Sequence, residues 1–177
     1  MKNLKQYIEE KLFHQQVDEK LIVNKNYKTY KYHPTTWGEL REIIEKRFEE
    51  LGLGTEQKPI NFNDIDVSEI TTFYDESTNQ GIFEETDFEY IDVSDWNVSK
   101  VTDMTLSFYE CKNLKSVGDL SNWDVSNVED MSSMFWGCKS LNKLDLSNWD
   151  VDNVKSMQTM FGCCKLEIIP DWYINRK

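Results

Sequence analysis

The chain is poor in the residues that most enzymes are built around. It has two histidines, His14 and His33, seven glycines and three prolines in 177 residues. Neither histidine falls in the repeated part of the chain, and no Ser–His–Asp or Cys–His arrangement follows from the spacing. No glycine-rich loop of the kind that cradles phosphate is present. These absences argue against an enzyme and against a bound cofactor. No apolar run approaches the roughly 20 residues of a membrane span. The N-terminal segment MKNLKQYIEEKLFHQQ lacks the unbroken apolar core of a signal peptide. The expectation is a soluble cytoplasmic protein without membrane contact, or an extracellular one if a signal had been removed.

Basic residues are missing from one long stretch. Between Lys58 and Lys100 there is no Lys or Arg, while 11 Asp or Glu occur. Residues 1–58 carry a net charge of +1 and residues 59–177 a net of −13, within a total of −12. Direct contact with nucleic acid through the second part is disfavoured, because phosphate contacts need Lys and Arg. Such a surface is either a solvated face or one that meets something basic.

Cysteines are four: Cys111, Cys138, Cys163 and Cys164. Three share one position in a repeat, which suggests packing thiols and not a secreted disulfide framework. They lie 27 and 26 residues apart with no accompanying histidine, so a zinc site is not expected. The segment DIDVSE, residues 64–69, lacks the glycine and the distal glutamate of a calcium loop and reads as a turn.

The first 58 residues read as a helical cap. Residues 3–16 have amphipathic helical spacing, Leu21 to Val23 suit a short strand, and Tyr27 to Pro34 suit an extended segment. A further helix is expected to begin at the N-cap Thr36, with Glu39 completing a capping box. Leu40, Ile43, Ile44, Arg47, Phe48 and Leu51 form its stripe, and Gly52 stands at its end.

What the chain has in quantity is repetition. LSNWDVSNVEDMSSMFWGC (Leu120–Cys138) recurs as LSNWDVDNVKSMQTMFGCC (Leu146–Cys164), and upstream as VSDWNVSKVTDMTLSFYEC (Val93–Cys111). A degenerate copy, NDIDVSEITTF, opens the series at Asn63. The periods are 31, 27 and 26 residues, with columns of Trp, Val, Met, Phe and Cys. KLDLS (Lys143–Ser147) alternates like a strand, and VEDMSSMFWGC (Val128–Cys138) has helical or 3₁₀ spacing. Pro170 to Lys177 is placed to close the last copy. If it does not, an open edge could pair with another copy of the chain.

The pattern LxxLDLSxWDVSxVxDMxxMFxGC resembles the BspA-like bacterial surface repeat, a leucine-rich-repeat relative, over residues 63–164. The resemblance implies a leucine-rich-repeat-like solenoid used to bind proteins, often as an adhesin. The expected fold class is therefore α/β. It would be a short leucine-rich-repeat-like parallel β solenoid of about four coils over residues 59–177, with an N-terminal α-helical cap over residues 1–58.

Stacked coils would place Asp92, Asp119 and Asp145 above one another on the outward face, about 5 Å apart. Asp103 and Asp130 form a second short row. These rows are either a wet acidic ridge, offset by Lys115 and Lys143, or a recognition stripe. Trp96, Trp123 and Trp149 read as core. Trp136 occurs once and reads as an exposed anchor. The functional expectation is a non-enzymatic protein–protein interaction module whose contact face is Asp92, Asp119, Asp145, Asp103, Asp130 and Trp136. One alternative is an acidic nucleic-acid mimic of phage or mobile-element origin that inhibits a basic host nucleic-acid enzyme. A second is a fragment of a surface adhesin.

Overall fold

The computed structural model describes residues 30–175. The helix expected at residues 3–16 and the strand at 21–23 lie outside the described residues. The elements in order are α1 (Trp37–Leu51), β1 (Ile60–Asn61), β2 (Tyr74–Asp75), β3 (Gln80–Gly81), β4 (Ile91–Asp92) and α2 (Asp171–Ile174). β1 pairs in parallel with β4, and β2 in antiparallel with β3.

These elements correct the expected fold class. The protein is mixed α/β, but no leucine-rich-repeat-like parallel β solenoid forms. Among the described residues there are two two-stranded sheets, and each strand is two residues long. Most of the repeat region is turn. The cause is local. KLDLS makes no strand, because the Asp145 carboxylate accepts the Ser147 N–H at 3.0 Å and bends the chain there. VEDMSSMFWGC makes no helix, because Ser133 sits in the left-handed region at φ 54. Leu106, Glu110, Thr159 and Cys163 break the other copies in the same way, at φ 53 to 61.

The copies nonetheless lie side by side in register. Single parallel bridges join Thr72 to Asp103, Asp103 to Asp130 and Asp130 to Ser156. Through each turn ribbon the backbone donors alternate. Met134, Trp136 and Cys138 donate to the carbonyl three residues back, while Phe135 and Gly137 donate to Met160 and Gly162 of the next copy. Like residues therefore sit over like. The rings of Trp96, Trp123 and Trp149 stack 6.3 Å apart and within 6° of parallel, and Trp172 of α2 continues the column at 6.4 Å. Phe83, Phe108, Phe135 and Phe161 form a second column with spacings of 5.1 to 5.9 Å.

Polar atoms inside the stack are matched between copies. The indole N–H of Trp96 donates to Phe62 O, that of Trp123 to Val93 O, that of Trp149 to Leu120 O and that of Trp172 to Leu146 O, at 2.8 to 3.1 Å. The thiols of Cys111, Cys138 and Cys164 donate to the carbonyls of Phe83, Phe108 and Phe135. Burying these groups without partners would cost several kcal/mol in sum, so their pairing lets the core close.

The degenerate copy is longer than its sequence suggests. The hairpin β2–β3 interrupts it after Phe73, and Phe83 then enters the phenylalanine column, stacking on Phe108 at 5.1 Å. Gly81 permits this, since a Cβ there would lie 1.9 Å from the Leu106 carbonyl oxygen. Helix α1 packs Leu40 and Ile44 into the same core. Its N-cap Thr36 accepts the Glu39 N–H at 3.2 Å, and the Glu39 carboxylate reaches back to Thr35 N at 2.8 Å. Arg47, which its spacing puts on the apolar stripe, is buried and donates two bonds to the Asp64 carboxylate, at 2.7 and 3.1 Å.

Candidate functional site

The acidic residues are first of all turn formers. Asp119 Oδ1 accepts the Ser121 N–H at 2.9 Å, and Asp145 Oδ1 accepts that of Ser147 at 3.0 Å. Asp103 and Asp130 do the same for Thr105 and Ser132 at 2.8 and 2.7 Å. A carboxylate that caps its own backbone two residues on is held in one rotamer. The Ser121 backbone N–H holds the Asp119 carboxyl below the ordinary aspartate range, against partial desolvation and the like charge of Asp145. The Ser147 hydroxyl and then its N–H do likewise for Asp145. Both aspartates are exposed, and their Oδ2 atoms take no hydrogen bond among the described residues.

Asp92 differs from its two repeat-mates. It lies in β4, half-buried, and bonds the N–H and hydroxyl of Ser94. Gly118 packs against it: a Cβ at that position would stand 2.6 Å from Asp92 Oδ1, and its φ of +85 suits glycine. Asp92 also lines an open groove of about 740 Å³, with Tyr90, Lys115, Ser116, Asn142 and Lys143. Lys115 there pairs with Glu89 at 2.6 Å, whereas Lys143 makes no ion pair among the described residues. Asp119 and Asp145 do not line this groove.

Asp103 and Asp130 form a second row, half-buried and joined by parallel bridging, with Thr72 before them and Ser156 after. Trp136 is half-buried. One face stacks on Tyr109 at 5.0 Å, and Gly162 covers the ring so closely that a Cβ there would meet its Cδ1 at 2.3 Å. The structure thus places Asp119 and Asp145 on one exposed face and groups Asp103 with Asp130, while Asp92 is half-buried in the groove beside the Asp119 turn, whose N–H donates to Ser94 Oγ at 3.4 Å.

Three features escaped the sequence reading: the indole-to-carbonyl bonds, the thiol-to-carbonyl bonds and the hairpin insertion. The spacing of Trp and Cys signalled columns, but not that each column would satisfy the backbone of its neighbour. Burial pushes the Cys111 thiol up to about 12. The Cys138 thiol is raised as well, through its hydrogen bond with Cys164 and its burial. Among the described residues no group of three or more His, Cys, Asp or Glu could hold a metal ion. No helix there is long and apolar enough to cross a membrane.

A family model described as "Mycoplasma protein of unknown function, DUF285" matches residues 76–172, more than half of the chain. No curated protein and no solved structure matches.

Proposed function

The chain belongs to this DUF285 family, and from that premise we propose that it is a non-enzymatic protein–protein interaction module of the BspA-like kind. It binds a protein partner through the acidic face of its stacked copies. The observation that carries this reading is the state of Asp119 and Asp145. Each carboxylate is fixed by its own turn through Oδ1 and keeps Oδ2 toward solvent. Two charges held at repeat spacing, with their rotamers already chosen, lose little entropy when a basic partner binds. The groups otherwise suited to catalysis are committed elsewhere: the aspartates to turns and the column thiols to carbonyls in the core.

The charge distribution favours a second reading of the same face, the acidic nucleic-acid mimic. Residues 59–177 carry −13. Both readings are tested with the variant D119N/D145N, because asparagine keeps the turn and removes the charge. The immobilised chain and the variant are exposed to host lysate and eluted with salt. A protein retained by the wild type and lost by the variant supports the acidic face. Steep loss of a basic nucleic-acid enzyme with rising salt supports the mimic. A partner held equally by both chains sinks the assignment of this face.

A further inference from the structure

The stack is polar along its length, and its two ends are unlike. In the second copy the N–H groups of Met104, Leu106, Phe108 and Glu110 donate to carbonyls of the third, at 2.7 to 3.1 Å. In the third copy Met131, Ser133, Phe135 and Gly137 donate to Ser156, Gln158, Met160 and Gly162 of the fourth, at 2.8 to 2.9 Å. The corresponding donors of the fourth copy are Met157, Thr159, Phe161 and Cys163. Among the described residues these four N–H groups meet no acceptor. The carbonyls of Thr102 and Glu129 each accept two N–H bonds from the following copy, and the corresponding carbonyl of Lys155 accepts none.

Helix α2 closes only one side of this end. Trp172 takes the place of the next tryptophan in its column and donates to Leu146 O at 2.8 Å, while Tyr173 meets Phe161 edge-on at 5.0 Å. Within residues 155–163, Lys155, Gln158, Thr159 and Cys163 are exposed, while Met160 and Phe161 are buried. The opposite end is capped. Trp37 donates to Phe73 O, and Arg41 to Gly81 O and Ile82 O.

We propose that this open edge, residues 155–163, takes up a peptide segment from a partner that folds into the same turn ribbon, laid parallel to the fourth copy as each copy is laid on the one before. The segment presents backbone carbonyls at alternate residues to the four N–H groups and donates to the Lys155 carbonyl. The polarity of the edge selects this occupant over a second copy of the chain. Four donors and one acceptor cannot pair with the same edge about a two-fold axis, since donors would face donors. Head-to-tail stacking is blocked by Trp37 and Arg41 at the capped end. This surface is separate from the acidic face and does not depend on it.

The test uses the whole chain and a reduced synthetic peptide with the sequence of residues 120–138, which carries carbonyls in the required register. Amide hydrogen exchange is followed by NMR. Saturating peptide slows exchange at Met157, Thr159, Phe161 and Cys163 by about tenfold or more, and a scrambled peptide does not. The variant M157P removes a donor that bonds nothing inside the fold, next to a Ser156 already in extended pairing. It weakens peptide binding by about tenfold relative to M157A, which loses the same half-buried side chain but keeps the N–H donor. D119N/D145N binds the peptide as the wild type does, which separates this test from that of the acidic face. Unchanged exchange at the four amides under saturating peptide overturns the proposal. So does concentration-dependent protection of the same amides without peptide, which would make a second copy the occupant. If M157P does not fold, the exchange experiment on the wild type decides alone.

Discussion

Replacing Trp123 tests whether the tryptophan column is the spine of the stack. The side chain is 3% exposed, lies between Trp96 and Trp149 at 6.3 Å on each face, and donates to Val93 O at 3.1 Å. A buried indole removes on the order of 200 Å² from water. At ~25 cal/mol per Å² that is worth ~5 kcal/mol as an upper bound. W123A is therefore expected to cost about 3–5 kcal/mol, cavity included. W123F keeps most of the ring but loses the indole donor and leaves Val93 O with the Trp96 N–H alone, and should cost about 1 kcal/mol. Trp172 is the internal control. It is half-buried and stacks on one tryptophan only, so W172A should cost roughly 1–2 kcal/mol. Urea unfolding followed by far-UV circular dichroism gives the midpoints without relying on tryptophan emission, and equal m values license the comparison. Equal costs for W123A and W172A, or a W123A cost under about 1 kcal/mol, would refute the argument.

G118A should destabilise by about 1–3 kcal/mol, because the residue is left-handed and its Cβ would press on Asp92 and Ser94; unfolding midpoints within error of wild type would contradict this. D145A should lower the melting temperature more than D145N, since only asparagine retains the bond to Ser147 N–H. The Asp119 and Asp145 carboxyls lie below their unfolded values, so the unfolded chain binds more protons as pH falls. Their contribution is complete above about pH 4 and is lost on acidification below it, and a pH series of melting temperatures should flatten in D119N/D145N. In the native chain at pH 8 a thiol reagent should label the exposed Cys163 quickly and Cys111 only on unfolding, because burial raises the Cys111 thiol to about 12; equal rates would sink that reading.

The alignment of side chains was legible in the sequence; the path of the backbone was not. Trp96, Trp123 and Trp149, with their Val, Phe and Cys companions, could be placed over one another from spacing alone, and the structure stacks the tryptophans within 6° of parallel. The helix from Trp37 to Leu51 was legible because its cap, stripe and Gly52 agree. The strand at 143–147 and the helix at 128–138 were misread for one reason. Periodicity reports which side chains face inward, and a ribbon of tight turns can meet the same pattern as a strand or a helix. What decides between them is where the Asp and Ser side chains bond, and Asp-x-Ser can cap a turn as readily as it can face solvent. The degenerate copy hid its second half because an eight-residue span, 74–81, separates Phe73 from the residues that rejoin the columns.

The same duality bears on the acidic face. An aspartate row read as charge alone predicts a repulsive ridge that salt or protonation would relieve. Here each carboxylate also satisfies a backbone N–H, so protonation removes a structural bond together with the charge. Desolvation and repulsion from Asp145 both act to raise the Asp119 carboxyl, yet its turn more than offsets them, and both groups end below their ordinary values. Both carboxylates are ionised at neutral pH with or without these turns; what the turns add is a fixed position for each charge. A face built this way keeps its charges at fixed spacing without any counter-ion, and that is the property a basic partner would read.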